Sequence, residues 1–171
     1  MPMRIEHINP FIVAMTEVFE ASVGVTPRKS NLGLKTGYTP THDISAVIGL
    51  SGNAFGSVVL SFPKDAAHKV VARMLGDQNV TEDYMADGIG ELANMIAGSA
   101  KAILASNGIK TFISIPRVVL GQSHYIYRPK EVPCVEIAFD TDLGGVTLEI
   151  CLKVLQETPV TANAETASGH N

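Results

Sequence analysis

Three polar residues follow one another along a segment that has the character of a helix. Asp87, Glu91 and Asn94 lie in DYMADGIGELANMIAGSAKAILA, at the spacing of roughly three or four residues that brings side chains together on one helix face. Carboxylates accept hydrogen bonds and pair with cations, whereas a carboxamide stays neutral and can both accept and donate. We therefore call these three residues the polar row and ask whether it contacts a second molecule.

The polar row differs from an ordinary solvated helix face. It meets no Lys or Arg before Lys101, so no pair of opposite charges supports it, and Asn94 is a poor helix former in mid-helix. Three flanking glycines, Gly88, Gly90 and Gly98, each cost on the order of 1 kcal/mol relative to Ala. Because glycines let a second surface approach closely, we predict a partner surface. The alternative is that Gly88 and Gly90 fit packing inside the domain and that the polar residues are merely solvated.

The apolar residues of the same helix predict how the polar row is oriented. At about 100° per residue, they fall in one sector and the polar row falls nearly opposite. The predicted core face consists of Met85, Ile89, Leu92, Ile96, Ala100 and Ile103. Thr81 is a suitable N-cap, and Asn107 with Gly108 is a suitable end.

Two further helices and a hairpin are predicted to position this long helix. A first helix should begin at Asn9, with Pro10 at its first helical position and Gly24 as its stop. Two apolar runs on either side of residues 51–53 predict a hairpin, because Gly and Asn supply the positive φ of tight turns. The segment PKDAAHKVVARMLGD predicts a short helix that ends at Gly76.

The remaining apolar segments predict strands. These are a weak strand in VTPRKSNLGLKTGYTP, a strand in TFISIPRVVLG and a second hairpin in VPCVEIAFDTDLGGVTLEICLKV. The resulting order is helix, two or three strands, two helices and three strands. It predicts an α+β, or mixed α/β, fold in which a largely antiparallel sheet carries helices on one face. The run VTLEICLKV would be a hazardous exposed edge unless it is paired or covered.

Length and composition limit the classes of function. The 171 residues, 46% of them hydrophobic, suit one domain, predicted over residues 1–155, and the polar segment 156–171 is predicted to be a disordered tail. A net charge of −4 provides no field that would attract nucleic acid or anionic lipid. No apolar run reaches the roughly 18 residues of a membrane span, and the N-terminus lacks a secretory pattern, so we expect a cytosolic protein.

Other reactive residues carry weaker signals. Cys134 and Cys151 are expected to be free thiols, neighbours across the second hairpin on the face opposite its apolar stripe, although a redox switch is an alternative. The five histidines have no metal-ligand spacing, so no metal site is expected. Ser99 lacks the context of a hydrolase nucleophile. The segment QSHYIYRPK could belong to a partner surface or be a simple loop.

The residue pattern around the polar row resembles the signature of the CheC/CheX/FliY family of chemotaxis phosphatases. In that family, an acidic or Ser residue, a Glu and an Asn lie on one helix and a proline follows, and the matching residues here are Asp87, Glu91, Asn94 and Pro116. The resemblance extends over about residues 5–154 and includes INPFIVAMTEVFEASVG, ISAVIGLSGNAFGSVVLSFP and AAHKVVARMLG. Because the motif occurs once, the chain is most similar to the CheX type.

This resemblance implies a protein phosphatase that hydrolyses the aspartyl phosphate of a phosphorylated CheY-like response regulator. Asn94 would orient the attacking water, since a neutral carboxamide is not repelled by the phosphate, and Glu91 would dock on the receiver's lysine. Asp87, Gly98 and Pro116 would contact the partner. Mg²⁺ is expected in the receiver, no cofactor in this chain, and a homodimer is implied. The alternative is a non-catalytic adaptor that binds a receiver domain or a chemosensory or flagellar component.

Overall fold

The computed structural model describes residues 3–37 and 42–155, so the tail predicted at 156–171 lies outside the described residues. Three helices precede or interrupt the strands, and each overlaps one of the predicted helices. They are α1 (Ile5–Ser22), α2 (Lys64–Leu75) and α3 (Glu82–Ser106). Gly76 ends α2 with a left-handed backbone, and the Thr81 side chain caps α3 by accepting from the Tyr84 N–H.

The described strands form a single antiparallel sheet. They are β1 (Arg28–Leu34), β2 (Ile44–Gly52), β3 (Ala54–Phe62), β4 (Thr111–Ile113), β5 (Arg117–Leu120), β6 (Cys134–Thr141) and β7 (Gly144–Val154). Their order in the sheet is β1-β6-β7-β3-β2-β4, and β5 also pairs with β2. Both predicted hairpins are confirmed, with β2 paired to β3 and β6 paired to β7.

The three helices pack against one face of this sheet and share its hydrophobic core. In β2 the alternating residues Ile44, Ala46, Ile48 and Leu50 are buried toward the helices. The ring of Phe19 in α1 stacks on that of Phe62 in β3, with centroids 6.3 Å apart. The predicted α+β fold with a largely antiparallel sheet is therefore confirmed.

Helix α1 begins earlier than predicted. It starts at Ile5 and not after a cap at Asn9, so Pro10 lies inside the helix. The first turn is stabilised by the buried His7, whose Nδ1 accepts from the Arg4 N–H at 3.1 Å. Pro10 deprives the helix of one hydrogen bond, and burial of the neighbouring Phe11 in the core offsets that loss.

Two other expectations about the helices and strands need correction. The predicted single strand in TFISIPRVVLG is split into β4 and β5 by residues 114–116, so four strands follow α3. On α3, Leu104 is fully buried whereas Ile103 is only partly buried. Leu104 follows the buried Ala97 and Ala100 at helical spacing, so the core face continues on that side and Ile103 lies at its margin.

Strand β7 is not an edge strand. It lies between β6 and β3, so its apolar run VTLEICLKV is paired on both sides within the chain. This run therefore needs no dimer partner to cover it, and its position in the sheet, which the sequence alone does not show, removes this support for a dimer. The homodimer stays a prediction that rests on the family resemblance.

The second face of the sheet is partly covered by the segment that follows β5. The Nε2 atom of His124 shares a hydrogen bond with the Ser45 hydroxyl at 2.8 Å. The Ser45 hydroxyl also shares a hydrogen bond with the Ser61 hydroxyl at 2.7 Å. Arg128 donates to the carbonyl oxygens of Lys35 and Gly37. Within the described residues, QSHYIYRPK therefore serves as a cover on the face away from α3.

Cys134 and Cys151 are buried on this second face of the sheet, in a small cluster with Val132. They are directly opposed on β6 and β7 and form a disulfide, so the prediction of free thiols is wrong. The prediction that they are neighbours across the ladder is confirmed. Composition suggested only a reducing compartment, whereas strand register determines which side chains meet.

Candidate functional site

The polar row lies along the outer side of α3, opposite its buried face. Asp87 and Glu91 are exposed, Asn94 is half-buried, and Gly98 is half-buried one turn further along. Ile89, Leu92 and Ile96 are fully buried on the opposite side and fix the rotation of the helix. The structure thus places all three polar side chains on one accessible stripe, as the sequence predicted.

The glycines near the polar row have different roles. A Cβ on Gly88 would lie 2.7 Å from a methyl carbon of Val71, and a Cβ on Gly90 would lie 3.3 Å from a methyl carbon of Val118. Both positions therefore serve packing inside the domain, as the alternative interpretation held. A Cβ on Gly98 would meet no atom within 4 Å. Gly98 alone among the three leaves the helix backbone open to another molecule.

Pro116 lies against α3 beside the polar row. Its ring carbons are 3.7 and 3.8 Å from the position that a Cβ of Gly90 would occupy, one residue before Glu91. The long-range contact between the proline and the motif helix, which sequence spacing only suggested, is therefore present. Pro116 begins the return of the chain into β5, where a residue without an N–H is tolerated.

The polar row has a border on each side. The end of α1 lies along one side, where the Ser22 hydroxyl donates to the Met95 sulfur at 3.8 Å. Strands β4 and β5 with Pro116 lie along the other side. The polar row thus lies between two fixed borders, the end of α1 and the side formed by β4, β5 and Pro116. We call the side with Pro116 the wall. Helix α3 cannot rotate without disrupting the contacts on both sides.

Neither carboxylate of the polar row is neutralised inside the domain. Within residues 3–37 and 42–155, Asp87 and Glu91 take part in none of the ion pairs, which involve other acids such as Glu82 and Glu149. Glu82, at the start of α3, is bonded to Lys64, and this hydrogen bond lowers the pKa of the Glu82 carboxyl. Glu91 is therefore available to a cation of a partner.

One described cluster has residue types that could hold a metal ion, but it lies on the other face of the sheet. Cys134, Glu149 and Cys151 have their ligand atoms within 4.8 Å of one another. Both sulfurs form the disulfide, and Glu149 is bonded to Lys35. These partners already use the donor groups, so the cluster carries no metal proposal.

The different surroundings of the glycines give a matched pair of predictions. Gly88→Ala should lower the free energy of unfolding by about 1–3 kcal/mol, because the new methyl group would press on the stiff Val71 side chain. Gly98→Ala should raise it by about 0.5–1 kcal/mol, because Ala is the better helix former and the space is open. Urea denaturation of both variants measures the difference, and equal effects would contradict this assignment.

Sequence reasoning did not single out two apolar side chains next to the site. Phe112 in β4 and Ile115 before Pro116 are strongly exposed. The available signal was the break in strand alternation at Ser-Ile-Pro, which predicts a bulging segment whose side chains do not all turn toward the core.

Comparison with known structures defines the class of protein. A chemotaxis protein CheX from Desulfovibrio desulfuricans matches with a TM-score of 0.80 and 33% identity over 86% of this chain and 99% of that one. A CheC-like superfamily protein from Shewanella sp. PV-4 matches with a TM-score of 0.80 and 27% identity, over 88% and 99% of the two chains. The protein therefore has the CheC-like fold.

Sequence comparison defines the family more narrowly. The family model described as chemotaxis phosphatase CheX matches residues 44–140. The CheY-P phosphatase CheX of Thermotoga maritima is 31% identical over 117 residues, which span 67% of this chain and 76% of that protein. The chain belongs to the CheX family of chemotaxis phosphatases.

A more distant solved structure has the same fold and contains a partner. It is the CheX-CheY-BeF3-Mg+2 complex from Borrelia burgdorferi, with a TM-score of 0.75 and 22% identity over 88% of this chain and 99% of that one.

None of the described helices of the present chain is both long enough and apolar enough to cross a membrane.

Proposed function

We propose that this protein hydrolyses the aspartyl phosphate of a phosphorylated CheY-like response regulator. The observation that carries the proposal is the accessible row of Glu91 and Asn94, held on a rigid helix beside the open Gly98 in a member of the CheX family. A relative in the same family is named a CheY-P phosphatase, and a protein of the same fold forms a complex with CheY.

Asn94 is proposed to orient the attacking water. An acyl phosphate is already electrophilic, so the phosphatase mainly has to place a water in line with the bond that breaks. The Asn94 carboxamide can accept a hydrogen bond from this water and donate another, and it remains neutral beside the phosphate. Its half-buried position restricts its rotamers, which favours one orientation of the water.

Glu91 is proposed to bind the lysine of the receiver. It lies one helical turn from Asn94, is exposed and pairs with no cation among the described residues, so an incoming lysine would find an accessible carboxylate. The contact would hold the two proteins in register and draw the lysine away from the phosphate. Asp87 and Pro116 would make lesser contacts at the same interface, and Mg²⁺ would be held by the receiver.

Replacement of Glu91 tests this assignment. Glu91→Gln keeps the shape but removes the charge, so we expect the Kd for the phosphorylated receiver to rise about tenfold, with a smaller fall in maximal rate. Asp87→Asn is the matched control and should change the Kd by less than about threefold. Binding titrations at two salt concentrations measure both effects, and equal losses in the two variants would contradict a specific role for Glu91.

The experiment that tests the function as a whole is phosphate decay. A panel of receiver domains from the same organism would be labelled with acetyl phosphate, and decay would be followed with and without the protein. Acceleration of one receiver would establish the activity and identify the partner. Binding without acceleration would instead favour the adaptor, in which the same row serves recognition alone.

The proposal that the protein forms a homodimer rests only on its membership of the CheX family. Sedimentation at micromolar concentration distinguishes the states directly, and a clean monomer would remove the dimer while leaving the phosphatase proposal intact.

A further inference from the structure

Residues 112–116, which run from β4 to the start of β5, include two large apolar side chains that the fold leaves exposed. Ile115 is 81% exposed, the highest value for a large apolar residue within the described part of the chain, and Phe112 is 67% exposed. We propose that Ile115 forms an apolar docking contact for the phosphorylated receiver domain. This inference rests on the proposed function and names a further part of its interface.

The position of this segment relative to α3 supports the proposal. Pro116 packs beside Gly90, and at the other end the Phe112 ring lies beneath Lys101, whose Nζ is 6.0 Å from the ring centroid. The segment 112–116 thus runs along α3 in the opposite direction, between the levels of Gly90 and Lys101. Asn94 and Gly98 lie between those two levels on the helix.

The helical rotation places this segment on the correct side of the polar row. Taking Gly90 as the reference at about 100° per residue, Lys101 lies near 20°, Asn94 near 40° and Gly98 near 80°. Gly90 and Lys101 both contact the segment, so Asn94 is the member of the polar row closest to that wall. A receiver seated on Asn94 would therefore also cover Ile115.

Hydrogen bonds hold the segment in place before any partner arrives. Ser114 donates its N–H to the Gly49 carbonyl oxygen at 2.9 Å, and its hydroxyl accepts from the Gly49 N–H at 2.9 Å. The same hydroxyl donates to the Ile115 carbonyl oxygen at 2.9 Å, and Pro116 restricts the next backbone angle. An apolar side chain that is already fixed loses little conformational entropy when it is buried, which favours affinity.

The chemistry of the polar row and of the neighbouring wall matches one partner. The polar row offers carboxylates for a cation, and the neighbouring wall offers Ile115 for an apolar surface beside it. A receiver seated on the polar row, with Asn94 at its active site, would place the adjoining surface against this wall. Continuity with the proposed catalytic row therefore favours the receiver over a second copy of this chain.

The test is a comparison of Ile115→Ser with Leu34→Ser. Leu34 is a matched control because it is 75% exposed and lies on β1, at the other edge of the sheet. For Ile115→Ser we expect the Kd and the KM for the phosphorylated receiver to rise about tenfold, with kcat changed less than about twofold. Leu34→Ser should leave all three constants unchanged. Both variants should fold normally, since neither side chain is part of the core.

The outcomes separate this inference from the proposed function. Acceleration by the wild type together with unchanged constants in Ile115→Ser would overturn the docking contact alone. Loss of self-association in Ile115→Ser, with receiver binding unchanged, would assign the wall to a second copy and would also overturn the inference. If the wild type binds a receiver without acceleration, the phosphatase fails, and a tenfold weaker Kd in Ile115→Ser would still support the contact. Absence of any receiver binding would overturn both.

Discussion

Asn94→Ala is expected to reduce the acceleration of receiver dephosphorylation about 100-fold or more, while the Kd for the phosphorylated receiver changes less than about threefold. The carboxamide is half-buried on a helix whose opposite face is locked in the core, so the variant should lose one positioned group and no structure. Because the water is oriented only at the moment of reaction, removing its holder lowers kcat and leaves docking through Glu91.

Two further substitutions sharpen this prediction. Asn94→Asp keeps the size of the side chain but places a negative charge beside the phosphate, so it should be at least as inactive as Asn94→Ala. Asn94→Gln keeps the carboxamide one methylene further out and should retain partial activity. Single-turnover decay of the phosphorylated receiver at saturating phosphatase measures the chemical step. Normal decay with Asn94→Ala would mean that another group orients the water.

Lys35→Met is expected to lower the free energy of unfolding by about 3–5 kcal/mol. Lys35 and Glu149 are both almost fully buried on the face of the sheet away from α3 and are bonded to each other, and Lys35 also reaches Glu136 at 2.9 Å. Removal of the ammonium leaves the Glu149 carboxylate buried without its partner, so the protein loses the pairing while the desolvation cost persists.

Matched variants separate burial from charge. Lys35→Met combined with Glu149→Leu removes both buried charges and should recover most of the loss, because well-packed apolar groups can replace a buried ion pair. Glu136→Gln removes the half-exposed partner and should cost at most about 1 kcal/mol. Urea denaturation measures all three. A single variant Lys35→Met as stable as the wild type would show that this pair is not desolvated in solution.

The two predictions also concern opposite faces of the sheet. Glu149 and Lys35 lie away from α3, so folded Glu136→Gln should retain the phosphatase activity of the wild type. Asn94→Ala should in turn retain the unfolding free energy of the wild type within about 1 kcal/mol, since its side chain has no packing partner to lose in the core. Chemistry and stability are thus supported by separate sets of residues.

Much of the architecture was readable from local patterns. The Thr81 cap, the stop at Gly76 and the two hairpins depend on residues close together in the chain, and each is where the sequence placed it. The start of α1 was predicted too late in the chain. The Asn-Pro signal at Pro10 competed with the interaction between His7 and Arg4 and with burial of Phe11. Tertiary packing therefore outweighed the local signal and determined where α1 begins.

The candidate site shows the same division. Helical periodicity alone placed Glu91 and Asn94 on one outward stripe, because the angle per residue of a helix is nearly constant. Periodicity could not distinguish Gly88 from Gly98. That difference arises from Val71, a residue of another helix, which fills the space beside one glycine and is absent from the other.

The sequence by itself thus determined most of the elements, the orientation of α3 and the family, since these depend on neighbours in the chain and on residue identity. Only the tertiary structure decided that β7 is a central strand, that Cys134 and Cys151 form a disulfide, and that Ile115 is exposed on the side of α3 where Asn94 lies. The physical reason is that each of these facts is a contact, or the lack of one, between residues far apart in the sequence. Such contacts are selected by the free energy of the whole packed core and not by local propensity.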